Sequence, residues 1–127
     1  MDKEFAQLKA LLTDAATEHS GHRDFVTGRL GEKEIILQKC GIGKVNAAVG
    51  TVEMISRYHP DLIVSSGCAG GADTSLEVTD VVVAAACAYH DAYCGDEVDY
   101  GQIIGMPAYF TAPAELVEKA LSLNDLP

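Results

Sequence analysis

Two glycine-rich turns stand out as places where a backbone can close on a ligand. In "IVSSGCAGG", residues 63–71, an apolar run ends in a loop of small residues containing Gly67, Gly70 and Gly71. In "GIGK", residues 41–44, two glycines lead into a helical pattern. Glycine has no Cβ to hold a ligand off, which is why such loops suit close approach. Neither is a nucleotide fingerprint. G-x-G-x-x-G is absent from the first, and no ribose-binding acid follows at the expected distance. The phosphate-loop pattern fails twice in the second: Gln38 stands where its leading glycine belongs, and Val45 where Ser or Thr should follow the lysine. Taken alone, each is a tight turn. The first loop brings no charge, so its donors are backbone N–H groups and small side chains, suited to a neutral heterocycle or a sugar.

The other reactive residue types are less informative. His90 and Asp91 are adjacent, so on a strand they point to opposite faces. No third ligand has suitable spacing, no metal site is expected, and His90 is expected to be hydrogen-bonded within the structure. Cysteines at 40, 68, 87 and 94 form no C-x-x-C pair; Cys40 and Cys87 lie in apolar stretches and read as small core residues. A nucleophilic Cys68 would need a neighbouring base such as His90 and a lowered pKa. The sequence supplies neither, so packing is its expected role. Glu4, with Asp2, reads as a solvated acid in a first helical turn, where the helix dipole favours negative charge.

These residues need elements to hold them. Apolar residues recur at Phe5, Leu8, Leu11/Leu12 and Ala15/Ala16, predicting a helix from Asp2 to about Glu18. "DFVTGRL" and "EIILQKC" predict a hairpin turning at Gly31–Glu32–Lys33. "GIGKVNAAVGTVEMISRYHP" predicts a glycine-led helix that stops before Pro60. "DLIVSS" reads as a short buried strand of the parallel-sheet kind, and "VTDVVVAAACAY" as another, centred on residues 78–84. Residues 90–110 read as a long loop, after which Thr111 and Pro113 open a helix through about Leu121. The order α-β-β-α-β-β-loop-α predicts an α/β fold with three layers, helices on both sides of a sheet.

Bulk properties narrow the function. At 127 residues with 48% hydrophobic content the chain holds at most one domain with a real core. A net charge of −10 with nine scattered bases disfavours nucleic acid, whose phosphates need clustered Lys and Arg. The longest apolar run, "VVVAAACAY", is too short to span a bilayer, and the acidic start "MDKEFAQLK" does not resemble a signal peptide. Free thiols without a leader point to the cytoplasm.

Four blocks in order carry a family likeness: "KCGIGKVNAAVG", "HPDLIVSSGCAGG", "LEVTDVVVAAACAYHDA" and "DYGQIIGMPAYF". Together they resemble the 5′-methylthioadenosine/S-adenosylhomocysteine nucleosidases of the purine nucleoside phosphorylase and nucleosidase superfamily. The likeness runs from Met1 to about Leu121. It implies a nucleoside phosphorylase-like αβα fold with a mixed central sheet. It also implies a homodimeric, cofactor-free and metal-free enzyme of methionine salvage, which hydrolyses the N-glycosidic bond of methylthioadenosine or adenosylhomocysteine and releases adenine. Carried over by position, Glu4 matches the glutamate that positions and deprotonates the attacking water. Met1 and Ile42 match walls of the alkylthio pocket. Cys68, Ala69 and Gly70 match the segment beside ribose and adenine, although most members carry Ser where Cys68 stands, and a thiol is a poorer donor than a hydroxyl. Residues 93–104 match the loop by which one subunit reaches the other's site; here they hold Asp96, Glu97 and Asp99 where relatives often show an aromatic.

The chain reads as incomplete at both ends, residues 1–127 forming a partial nucleosidase domain. It opens on a helix with no strand before it, and "LSLNDLP" ends without the strand it should feed. By the resemblance, the general-acid aspartate, a Met-Glu pair gripping the ribose hydroxyls and an aromatic under adenine lie beyond Pro127, so little activity is expected of this stretch alone. Two alternatives remain open: a purine nucleoside phosphorylase, which would need an arginine near a glycine loop (Arg23 and Arg29 belong to the hairpin), and a catalytically silent half-domain that only binds or assembles.

Overall fold

The computed structural model describes residues 2–123; the expectations for Met1 fall outside them. The chain divides into two compact units, residues 1–70 and 71–127.

In the first unit, α1 (Asp2–Ala10) is followed by three antiparallel strands in the order β1 (Thr13–Ser20), β2 (Arg23–Leu30) and β3 (Lys33–Gln38), and then by α2 (Lys44–Tyr58). The helix expected to run to Glu18 stops at Ala10, and residues 13–20 pair with β2 instead. The physical cause is a second hairpin. Gly21 (φ 57°) and Gly31 (φ 59°) each occupy the first position of a two-residue loop, closing the pairs Ser20–Arg23 and Leu30–Lys33. Positive φ at that position suits the twist of antiparallel strands and favours glycine. Thr13 and Thr17 suit a strand, and pairing with β2 overrides the helical preference of Ala15 and Ala16. The register slips between Thr13 and Ala16, where Asp14 takes φ 53°, a bulge that bends the strand start.

Helix α2 begins and ends as the sequence predicts. Gly43 (φ 91°) starts it in a backbone conformation other residues rarely adopt, and the Asn46 side chain donates to the Ile42 carbonyl at 2.8 Å, bracing the turn. His59 caps the other end in the left-handed region, its N–H bonding the Ile55 carbonyl, immediately before Pro60. The helix meets the strands through Phe25, which is fully buried, and Tyr58, with ring centroids 5.3 Å apart. The Arg57 guanidinium stands 5.5 Å from the Phe25 ring centre and pairs with Glu18 at 2.9 Å. Arg23 reaches Glu53 at 2.9 Å and the Cys40 carbonyl at 3.0 Å. Val26 completes the fully buried pair beside Phe25.

The second unit contains a short ladder, β4 (Ala86–Cys87) with β5 (Phe110–Thr111), extended by the bond from the Ala112 N–H to the Ala85 carbonyl. Tyr89 and Phe110 meet edge to face at 6.2 Å. Residues 90–110 form the expected loop, held by turns such as Gly101 N–H to the Ala92 carbonyl at 2.9 Å. Helix α3 (Ala114–Leu121) follows Pro113 as predicted.

Three expectations fail. Residues 62–66 and 78–84 form no ladder among the described residues, and Val64 and Val78 are 76% and 93% exposed. A parallel strand needs partners along its edges, and no described strand lies there to supply them. Cys40 and Cys87 are exposed and not core residues: Cys40 lies past the half-buried end of β3, in the exposed turn before α2, and the apolar stretch around Cys87 is itself uncovered. His90 is exposed, and its ring nitrogen lies 3.9 Å from Asp91, beyond hydrogen-bond reach.

Candidate active site at the first helix

A helix brings residues i, i+3, i+4 and i+7 onto one face. On α1 that face, followed one residue past the helix end, carries Glu4, Gln7, Leu8 and Leu11, and together with Ser66 and Gly67 it lines an open cleft of about 400 Å³. One wall is therefore apolar with a carboxylate at its end. The other is the small-residue turn, where an added Cβ at Gly67 or Gly70 would meet nothing within 4 Å.

At the head of this cleft the Cys68 thiol donates to Glu4 Oε1 at 3.1 Å, a contact across 64 residues of sequence. Hydrogen bonds from the terminal ammonium and then from the Cys68 thiol hold the Glu4 carboxyl below the usual glutamate range. The same contact works in reverse on sulfur: the hydrogen bond to Glu4 and its negative charge push the Cys68 thiol up. Cys68 is thus a protonated donor, the opposite of an activated nucleophile. Glu4 is an ionised acceptor beside a cleft, able to take a proton from a water placed there.

The remaining sequence-derived candidates sit apart from this pair. Ile42 projects from the turn before α2, is 95% exposed and does not line the cleft. Ala69 and Gly70 continue the loop and are exposed. Met1 lies outside the described residues. Sequence reasoning did not assign Gln7, Leu8, Leu11 or Ser66 to the site; their spacing from Glu4 on a helical face was the available signal. Among the described residues, no group of three or more His, Cys, Asp or Glu could hold a metal ion.

Solved structures place these elements in a known class. Over 96% of this chain and 53% of the other, the structure superposes with a TM-score of 0.91 on the 5′-methylthioadenosine/S-adenosylhomocysteine nucleosidase of Neisseria meningitidis, solved with methylthio-immucillin-A, at 32% identity. The corresponding nucleosidase of Colwellia psychrerythraea, solved with adenine, gives 0.91 at 37% identity over 96% and 51% of the two chains. The fold is therefore the α/β fold of the nucleoside phosphorylases and nucleosidases. The sequence profile of the phosphorylase superfamily matches residues 1–127, and the chain belongs to that superfamily. Among curated relatives, the 5′-methylthioadenosine/S-adenosylhomocysteine nucleosidases of Staphylococcus saprophyticus and Bacillus subtilis are 44% and 40% identical to it, each over 98% of this chain and 56% of their own length. The chain spans about half the length of the curated relatives it matches.

Proposed function

We propose that this chain belongs to an N-glycosyl hydrolase that cleaves 5′-methylthioadenosine and S-adenosylhomocysteine to adenine and the thioribose. The observation that carries the reading is the Glu4 carboxylate, turned toward the small-residue loop at Cys68 and lining the cleft with Ser66 and Gly67. The names of the relatives and the four motif blocks support the same substrates. In the reaction, Glu4 accepts a proton from water as the water oxygen bonds to the anomeric carbon. The carbon–nitrogen bond breaks, its electron pair passes to the purine, and the purine takes a proton on its ring. Cys68, Ala69 and Gly70 lie along ribose and adenine. The chain works as a homodimer in the cytoplasm, in methionine salvage, without metal or cofactor. The 127 residues by themselves turn over slowly, since they span about half of a nucleosidase.

The test is adenine release from methylthioadenosine by the protein expressed with its flanking codons to the length of its relatives. Glu4→Gln is expected to lower kcat by about 10²-fold or more, as removal of a general base does. Release that depends on inorganic phosphate would identify a phosphorylase instead. Undiminished release by Glu4→Gln would remove Glu4 from the chemistry.

A further inference from the structure

We propose that Cys68 is the positioning residue of Glu4: its thiol keeps its proton and holds one carboxylate oxygen toward the loop at the cleft. This rests on the nucleosidase reading for its catalytic consequence, but not for the contact itself.

The geometry is a sulfur-to-oxygen approach of 3.1 Å between a helix residue and a loop residue. Glu4 is half-buried on the first turn of α1, and its side chain has several rotatable bonds with entropy to lose in any single orientation. A donor fixed on the glycine loop restricts that freedom. The thiol can only serve as donor while protonated, and the carboxylate opposite keeps it so. The other titratable group acting on both residues is the terminal ammonium, which lowers Glu4 and opposes the rise of Cys68. A sulfur at this position is a weaker clamp than a hydroxyl, so a serine here would hold the carboxylate at least as firmly.

Two measurements decide the matter, and the first needs no catalysis. Iodoacetamide labelling of the 127-residue chain, read at each cysteine by peptide mass mapping across pH, is expected to find Cys68 slower than Cys87, which is also exposed, near pH 8. Glu4→Gln should then speed Cys68 severalfold while leaving Cys87 unchanged. The same gain is expected with the amino terminus acetylated, which separates the ammonium from the carboxylate. Labelling of Cys68 that ignores Glu4→Gln, or a gain that vanishes on acetylation, overturns the contact. The second measurement uses the protein extended to its relatives' length. Cys68→Ala is expected to lower kcat about three- to tenfold, the worth of one ordinary hydrogen bond, since a thiol is a weak donor, with a smaller change in KM. It should also move the acid limb of the pH–rate profile upward, because losing a donor makes the carboxylate easier to protonate. Cys68→Ser is expected to restore both. An unaltered kcat and acid limb in Cys68→Ala, or failure of serine to rescue, overturns the positioning role. Wild-type protein that shows the labelling effect but releases no adenine retires the nucleosidase reading and leaves the contact standing.

Discussion

A carboxylate in the first turn of a helix is stabilised by the helix dipole whatever else it does, and α1 carries two there. Partners separate them. Asp2 pairs with Lys39 at 2.7 Å, and that exposed ammonium holds its carboxyl below the ordinary range. Glu4 faces a thiol and a cleft. Exposed pairs such as Asp2–Lys39 contribute little, since water and salt screen them. Asp2→Asn is therefore expected to leave both the melting temperature and adenine release where they were, in contrast to the loss expected of Glu4→Gln. A large loss from Asp2→Asn, in a thermal melt or a nucleosidase assay, would show that the acidic first turn matters as a whole and that Glu4 has no separate role.

At the scale of elements, the three-stranded sheet and α2 depend on a small core. Phe25 is the buried side chain that touches the most chemistry at once: the Tyr58 ring beside it, the Arg57 guanidinium over it, and through these the carboxylate of Glu18. Removing such a ring forfeits both transfer energy and packing, about 3 kcal/mol or more for a fully buried phenylalanine. Phe25→Ala is thus expected to abolish the cooperative thermal transition followed by circular dichroism or to lower its midpoint by several degrees. A midpoint unchanged within error would mean that α2 and the sheet are held by their ion pairs. Those pairs sit at the margin of this contact, and half-exposed pairs of this kind are worth little.

For the molecule as a whole, the two apolar stretches at 62–66 and 78–84 set the behaviour. Their valines and leucines are largely exposed, and their backbone groups have no ladder among the described residues. Amide exchange follows local opening, which is easy where hydrogen bonds are few. Hydrogen exchange read by mass spectrometry is expected to show protection across β2 and β3 and fast exchange across 62–66 and 78–84. Protection of those segments equal to that of β2 would mean that they are paired in solution. Exposed strand-forming runs of this kind also invite association, which the net charge of −10 opposes.

Local rules made much of this protein legible in advance. The β2–β3 hairpin, the limits of α2 between Gly43 and Pro60, the loop of residues 90–110 and α3 after Pro113 all follow from glycine, proline and periodicity, which act within a few residues. The superfamily was legible too, since four ordered blocks depend on residue order alone. Where the first helix ends was not legible. Ala15 and Ala16 satisfy a helical period as well as a strand, and only pairing with β2 decides between them. The fate of the valine runs was equally hidden, because a strand exists only when a second backbone completes its hydrogen bonds. So was the Glu4–Cys68 contact: two residues 64 positions apart become neighbours through the path of the chain, and no spacing rule reaches that far.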